Sequence, residues 1–242
     1  MDIEPKERLI VALDVGNLDS LKNIIDRLGD NIVYYKIGLE LFTALGPTVI
    51  QYLKSLGKKV FLDLKLHDIP NTVARAVKAA SNFGVDMMTI HTLGGFEMME
   101  SAQKASWRVG EGGPKIIGIT LLTSLDEAFI NDFLEIKRKL KDEVLKLASL
   151  ALSAGLSGVV SSPQEVKEIK ECCGNDFIVV SPGIRPEGYD AMDHARSATP
   201  KEAIKMGADY IVVGRPILNS ENPLWSAKKI LEDIEDGLSS PA

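Results

Sequence analysis

The chain is poor in the residues that would make it a disulfide scaffold, a membrane protein or a polyanion binder. It holds only two cysteines in 242 residues, the neighbours Cys172 and Cys173. Adjacent cysteines seldom form a structural disulfide, so no disulfide framework is expected and a reduced, cytoplasmic setting is the simplest reading. Histidine is scarce, with three copies spread along the chain. No CxxC accompanies Cys172 and Cys173 and no histidine lies close to them, which speaks against a metal site there. No long apolar run is present, and the N-terminus, MDIEPKERL, is charged, so neither a membrane span nor a signal peptide is expected. An excess of basic charge is missing too. The formal net charge of −6 argues against nucleic acid and anionic membrane surfaces as partners. No Pro/Gly/Ser-rich linker divides the chain, and no GxGxxG follows the first apolar run.

What is present is an alternation. Eight strand-like runs can be read at 9–15, 32–38, 59–66, 87–92, 115–123, 157–162, 177–183 and 209–215. Most are rich in Val and Ile and nearly continuous in apolar character, as expected of parallel strands covered on both faces. Amphipathic segments lie between them, among them SLKNIIDRLG, DEVLKLASLALSAG and SPQEVKEIKE, with NPLWSAKKILEDIED as the closing helix. Gly29, Gly57 and Gly155 stand where helix C-caps would be. Eight β–α repeats predict a single (β/α)8 TIM barrel spanning 1–242, a length close to the ~250 residues typical of that fold. An open doubly wound sheet is the alternative.

The polar residues gather at one end of these runs. Asp14, Lys36, Asp63, Lys65, His91, Thr123, Ser181 and Arg215 all stand at or near C-terminal strand ends, the rim where α/β barrels build active sites. FLDLKLHDIPNTV is the densest segment. Alternation along a strand places Asp63 and Lys65 on one face, and a loop can bring Asp68 near both. Lys36 ends the earlier run IVYYKIG. A core strand carries such charges only when they are paired or in use, so the group is read as catalytic.

SPGIRPEG (181–188) and VVGRP (212–216) follow runs seven and eight, where α/β barrels frequently bind phosphate. Gly183 and Gly214 allow close approach of backbone N–H groups, and Arg185 and Arg215 can pair with phosphate oxygens. Asp14 is either an acceptor for sugar hydroxyls or a cap for the segment LDSLKN. Thr123 and Ser124 either bond a polar ring or cap a helix before Asp126 and Glu127. His91 reads as a hydrogen-bonded structural histidine. KRKLK (137–141) reads as a solvated helix face, and Trp107 and Trp225 as packing residues.

These motifs carry a resemblance. DLKLHDIPNTV resembles the D-x-K-x-x-D-I-x-x-T signature of orotidine 5′-phosphate decarboxylases. ALDV, YYKIG, TIHTLGG, ITLLTS, SPGIRPEG and VVGRPI are similar to that family's blocks in the same order. The resemblance implies a barrel, a homodimer with shared active sites, and decarboxylation of orotidine 5′-monophosphate to uridine 5′-monophosphate without metal or organic cofactor. It implies that Lys65 protonates C6 of the pyrimidine and that Asp63 lies beside the substrate carboxylate. Lys36 and Asp14 would meet ribose hydroxyls, and Thr123 the pyrimidine. Arg185, Gly214 and Arg215 would bind phosphate, and Asp68 and Thr72 would reach the neighbouring subunit's site. His194 stands where many bacterial members carry a glutamine bridging phosphate and pyrimidine. The segment 184–198, with Gly188, is long enough for a lid. A magnesium-dependent sugar-phosphate lyase sharing the D-x-K-x-x-D core is the alternative activity.

Overall fold

The computed structural model describes residues 3–107, 113–187 and 197–239. Eight parallel strands close into a barrel in chain order: β1 Leu9–Ala12, β2 Tyr34–Ile37, β3 Lys59–Leu66, β4 Met87–His91, β5 Lys115–Ile119, β6 Gly158–Val160, β7 Ile178–Ser181 and β8 Tyr210–Val213. β1 pairs with β8, so no edge is left open. The helices are α1 Pro5–Arg8, α2 Leu18–Leu28, α3 Leu39–Leu45, α4 Thr48–Ser55, α5 Pro70–Ser81, α6 Phe96–Trp107, α7 Leu140–Ser153, α8 Val166–Cys173, α9 Pro200–Lys205, α10 Arg215–Leu218 and α11 Pro223–Ser239. All eight expected strands are found, most of them trimmed at the ends. Among the trimmed residues are Asp14, Gly38, Thr123, Gly183, Gly214 and Arg215, which fall in the segments after the C-terminal strand ends.

Alternation along the strands divides the apolar side chains into two cores. Ile10, Tyr34, Phe61, Met87, Ile117, Ile178, Val180, Tyr210 and Val212 fill the barrel interior. Val11, Tyr35, Leu62, Met88, Val179 and Ile211 face outward into the helical layer. This double burial explains why the strands read as unbroken apolar runs. At the N-terminal end the barrel is plugged by Ile3 and by the edge-to-face pair Tyr34 and Tyr210. Around that end Lys59 pairs with Glu7 at 2.7 Å and Lys170 with Asp209 at 2.6 Å. An open groove of about 820 Å³ lies there too, lined by Arg8, Lys170 and Asp209 among others. Lys170 also donates to the carbonyls of Asn175 and Phe177, so this charge holds structure together. No helix among the described residues is long and apolar enough to cross a membrane.

Helix ends follow their sequence signals. Gly29, Gly57 and Gly155 sit at φ of 56°, 70° and 79°, the left-handed region that glycine enters without strain. Asn17 caps α2, its side chain accepting from the Ser20 N–H, so Asp14 is not needed as the cap. Two expectations are corrected. Trp107 and Trp225 are mostly solvent-exposed, at 62% and 59%, so neither is a core residue. KRKLK is a helix face only in its last two residues, because α7 begins at Leu140 and residues 137–139 are irregular.

Candidate active site

Three strands deliver polar side chains to the C-terminal mouth by one rule. Lys36 follows Tyr34, Asp63 follows Phe61 and Thr89 follows Met87, each two residues on. The apolar member fills the barrel and the polar member stands one layer higher on the same inner face. Lys36 pairs in register with Phe61, so adjacent strands bring the polar members together.

The outcome is a row of alternating charge. Lys36 Nζ lies 3.3 Å from Asp14 Oδ1 and 3.8 Å from Asp63 Oδ2. Lys65 Nζ donates to both oxygens of Asp63 at 2.9 Å. Asp63 and Lys36 are nearly buried, at 13% and 12% side-chain exposure, whereas Asp14 at the end of the row is half exposed. Such burial weakens screening inside the row and makes each charge depend on its neighbour. Gly38 lies beside it. A Cβ there would lie 2.9 Å from Lys36 Nζ.

Lys65 reaches this row by a route that simple alternation does not describe. From Leu62 to Leu66, β3 spans four residue steps, while its partner β4 spans only two, from Met88 to Ile90. The slack is taken up by a bulge, and Lys65 adopts φ 51°. A lysine in the left-handed region is strained, and such strain concentrates at functional sites. Two hydrogen bonds hold the bulge. The Lys65 N–H donates to Thr89 Oγ1 at 2.9 Å, and that hydroxyl donates to Asp63 Oδ1 at 2.9 Å.

A cavity of about 160 Å³ opens against the row. Lys36, Asp63 and Lys65 form its charged side. Ile119, Leu121, Val160, Val180, Pro182 and Val212 form an apolar side, with Thr123 at the margin. A flat ring that is apolar on its faces and polar on one edge suits this division.

The remaining predicted residues fall into two groups. Gly214 sits beside the row, since a Cβ on it would lie 3.2 Å from Asp14 Oδ2. Arg215 is the first residue of α10, exposed and next to Gly214. Arg185 is half-buried after β7, where its N–H donates to the Ala198 carbonyl at 2.9 Å. Ile184 and Ala198 also form a parallel bridge, so the two ends of the expected lid segment are tied together. His194 and Gly188 lie outside the described residues.

Asp68 does not join the row. It is exposed, and its carboxylate accepts from the Ile69 N–H at 2.6 Å. Among the described residues Lys65 therefore has one carboxylate partner, and Lys36 is the lysine that stands between two. Thr72 lies in the first turn of α5, half-buried. Ser181 is fully buried and follows the outward-facing Val179 by two residues, so it does not contribute to the mouth. His91 Nδ1 accepts from the Leu93 N–H at 3.4 Å, and its ring stacks on His67 with centroids 5.1 Å apart. Burial, then His67, then Lys65 push its pKa down to about 4, in keeping with a structural histidine. Ser124 caps no helix, while Asp126 accepts from the Phe129 N–H at the start of a π-helical turn, Phe129–Phe133. Thr89 is the residue that sequence reasoning passed over. Its signal was present, a lone polar residue two positions after an inward-facing methionine.

Fold and site together define a (β/α)8 barrel with a charged, half-apolar cavity at the C-terminal mouth, the arrangement of a barrel enzyme. The chain belongs to the orotidine 5′-phosphate decarboxylase / HUMPS family, whose sequence profile matches residues 7–230. It is 48% identical to an orotidine 5′-phosphate decarboxylase of Carboxydothermus hydrogenoformans, over 95% of this chain and 96% of that protein. It is 44% identical to one of Moorella thermoacetica, over 95% and 93%. Among solved structures, an orotidine 5′-phosphate decarboxylase from Lactobacillus acidophilus superposes with a TM-score of 0.85 at 39% identity, covering 94% of this chain and 99% of that one.

Proposed function

We propose that this chain, acting as a single barrel domain over 1–242 in the cytoplasm, converts orotidine 5′-monophosphate to uridine 5′-monophosphate and carbon dioxide. The observation that carries the reading is the row Asp14–Lys36–Asp63–Lys65 set against an apolar cavity wall. The relatives' names supply the substrate.

The chemistry follows from placement. Loss of carbon dioxide leaves an electron pair at C6 of the pyrimidine, where the ring delocalises it poorly. An ammonium already aimed at that carbon stabilises the developing charge without reorganisation and then supplies the proton. Lys65 is assigned this role. Asp63, fixed beside it, faces the substrate carboxylate, and loss of that carboxylate relieves the repulsion between them. Lys36 and Asp14 meet ribose hydroxyls, and Thr123 meets the ring. Arg185, Gly214 and Arg215 take the phosphate, with His194 as a further contact. Phosphate binding lies far from C6, and its energy can be spent on holding the reacting end in place.

The protein acts as a homodimer in this reading. Leu39, Ile69, Leu93 and Phe96 are exposed apolar residues that follow β2, β3 and β4 on the C-terminal side of the barrel. Asp68 and Thr72 follow β3 on the same side, and exposed apolar residues there are what an interface that hands those two side chains to the neighbouring site would need.

The test is direct. Orotidine 5′-monophosphate is mixed with dialysed protein in excess EDTA and the pyrimidine absorbance is followed. Turnover that persists supports a cofactor-free decarboxylase. Activity seen only with a sugar phosphate and restored by magnesium would place the chain with the sugar-phosphate lyases.

A further inference from the structure

We propose that Thr89 is the positioning residue of the site, its hydroxyl setting both the backbone of Lys65 and the carboxylate of Asp63. The inference rests on the decarboxylase reading and adds a residue to it. Three threonines among the described residues are fully buried, namely Thr89, Thr92 and Thr120. Thr92 donates to the carbonyl of Ile119 and Thr120 to the carbonyl of Val160, the ordinary way for a core hydroxyl to satisfy itself on backbone. Thr89 does otherwise. It accepts from the N–H of the strained Lys65 and donates to Asp63 Oδ1, both at 2.9 Å. One oxygen thus closes a ring through three residues on two strands.

The position explains why a side chain is needed there. The bulge carries the Lys65 N–H out of step with the β4 backbone, and a backbone carbonyl, which only accepts, could not also donate to Asp63. A hydroxyl on the inner face of β4 reaches both. It can also donate and accept at once, which neither an amine nor a carboxylate can do here. Asp63 Oδ1 then has two donors, Thr89 and Lys65, and its rotamer is fixed before substrate arrives. Fixing the lysine ahead of time is worth more to the transition state than to the bound ground state, because the ammonium is needed only as charge develops at C6.

The test uses two substitutions in the full-length protein. Thr89→Val keeps the branched shape and removes the hydroxyl. Thr89→Ser keeps the hydroxyl and removes a methyl. Hydrogen bonds to charged groups are worth about one to two factors of ten. Thr89→Val is therefore expected to lower kcat by about ten- to a hundredfold, with KM within about threefold of wild type, since the proposed phosphate contacts lie after β7 and β8, away from Thr89 on β4. Thr89→Ser is expected to recover kcat to within about threefold. A kcat for Thr89→Val within twofold of wild type would overturn the inference, as would a Thr89→Ser variant no better than Thr89→Val. A wild-type protein that leaves orotidine 5′-monophosphate untouched would sink the functional reading instead. The inference is then decided by crystal structures of the two variants. Lys65 and Asp63 displaced in Thr89→Val and native in Thr89→Ser uphold it, and native geometry in both refutes it.

Discussion

At the scale of single residues, the site depends on a lysine in a conformation lysine disfavours. Lys65→Ala should remove nearly all turnover while leaving the far-ultraviolet circular dichroism unchanged, because the side chain caps no core residue and is about a third exposed. Single-turnover rates within tenfold of wild type would refute its assignment as proton donor. His91 offers a different test. Its folded pKa of about 4 lies below the ordinary value of 6.5. The unfolded chain therefore binds the proton more readily between those two values, so stability contributed by neutral His91 is present above about pH 6.5 and lost as pH falls toward 4. The group is partly exposed, and solvent screening limits the effect to about 1–2 kcal/mol. His91→Gln should flatten the thermal midpoint against pH in that window. An unchanged slope would mean that other groups carry the acid sensitivity.

At the scale of elements, the strands were legible because both of their faces are buried, which leaves a continuous apolar signature for each. Alternation also located Lys36 and Asp63, since charges on an inward face have no structural reason to be single. It also put Lys65 beside Asp63, as found, but gave no sign of the bulge through which the two meet. Extra residues in one strand of a parallel pair leave no mark in local composition. It failed for Asp68, because a loop's path is set by tertiary contacts and not by period. The short helices α3 and α4 and the turn at Phe129–Phe133 were equally unmarked. β6 shows how little sequence an element needs. It has three residues, and Gly158 begins it where a Cβ would come within 2.1 Å of the Ile178 carbonyl oxygen on β7. Gly158→Ala must push the two strands apart. A loss of about 1–3 kcal/mol is expected, read as a lower urea midpoint with an unchanged slope. A midpoint equal to wild type would show that the β6–β7 seam has slack.

At the scale of the whole molecule, the proposed shared site makes a prediction about mixtures. Lys65→Ala and Asp68→Ala should each be inactive alone. In a heterodimer one site carries both defects and the other neither. Random exchange makes half the dimers mixed, so roughly a quarter of wild-type activity should return by two-fold symmetry. No recovery, with exchange verified by native mass spectrometry, would mean that Asp68 serves its own chain. The same row of charges bears on how substrate arrives. Two carboxylates and two ammonium groups cancel formally, so the row projects almost no field into solvent. An anion approaching a protein of formal charge −6 gains nothing from it until close, since screening ends such influence within about 8 Å at physiological ionic strength. Under the proposed function, capture falls to the rim arginines, and added salt is expected to weaken the encounter through them. The buried row remains silent to the passing solute and acts only on a ring already seated.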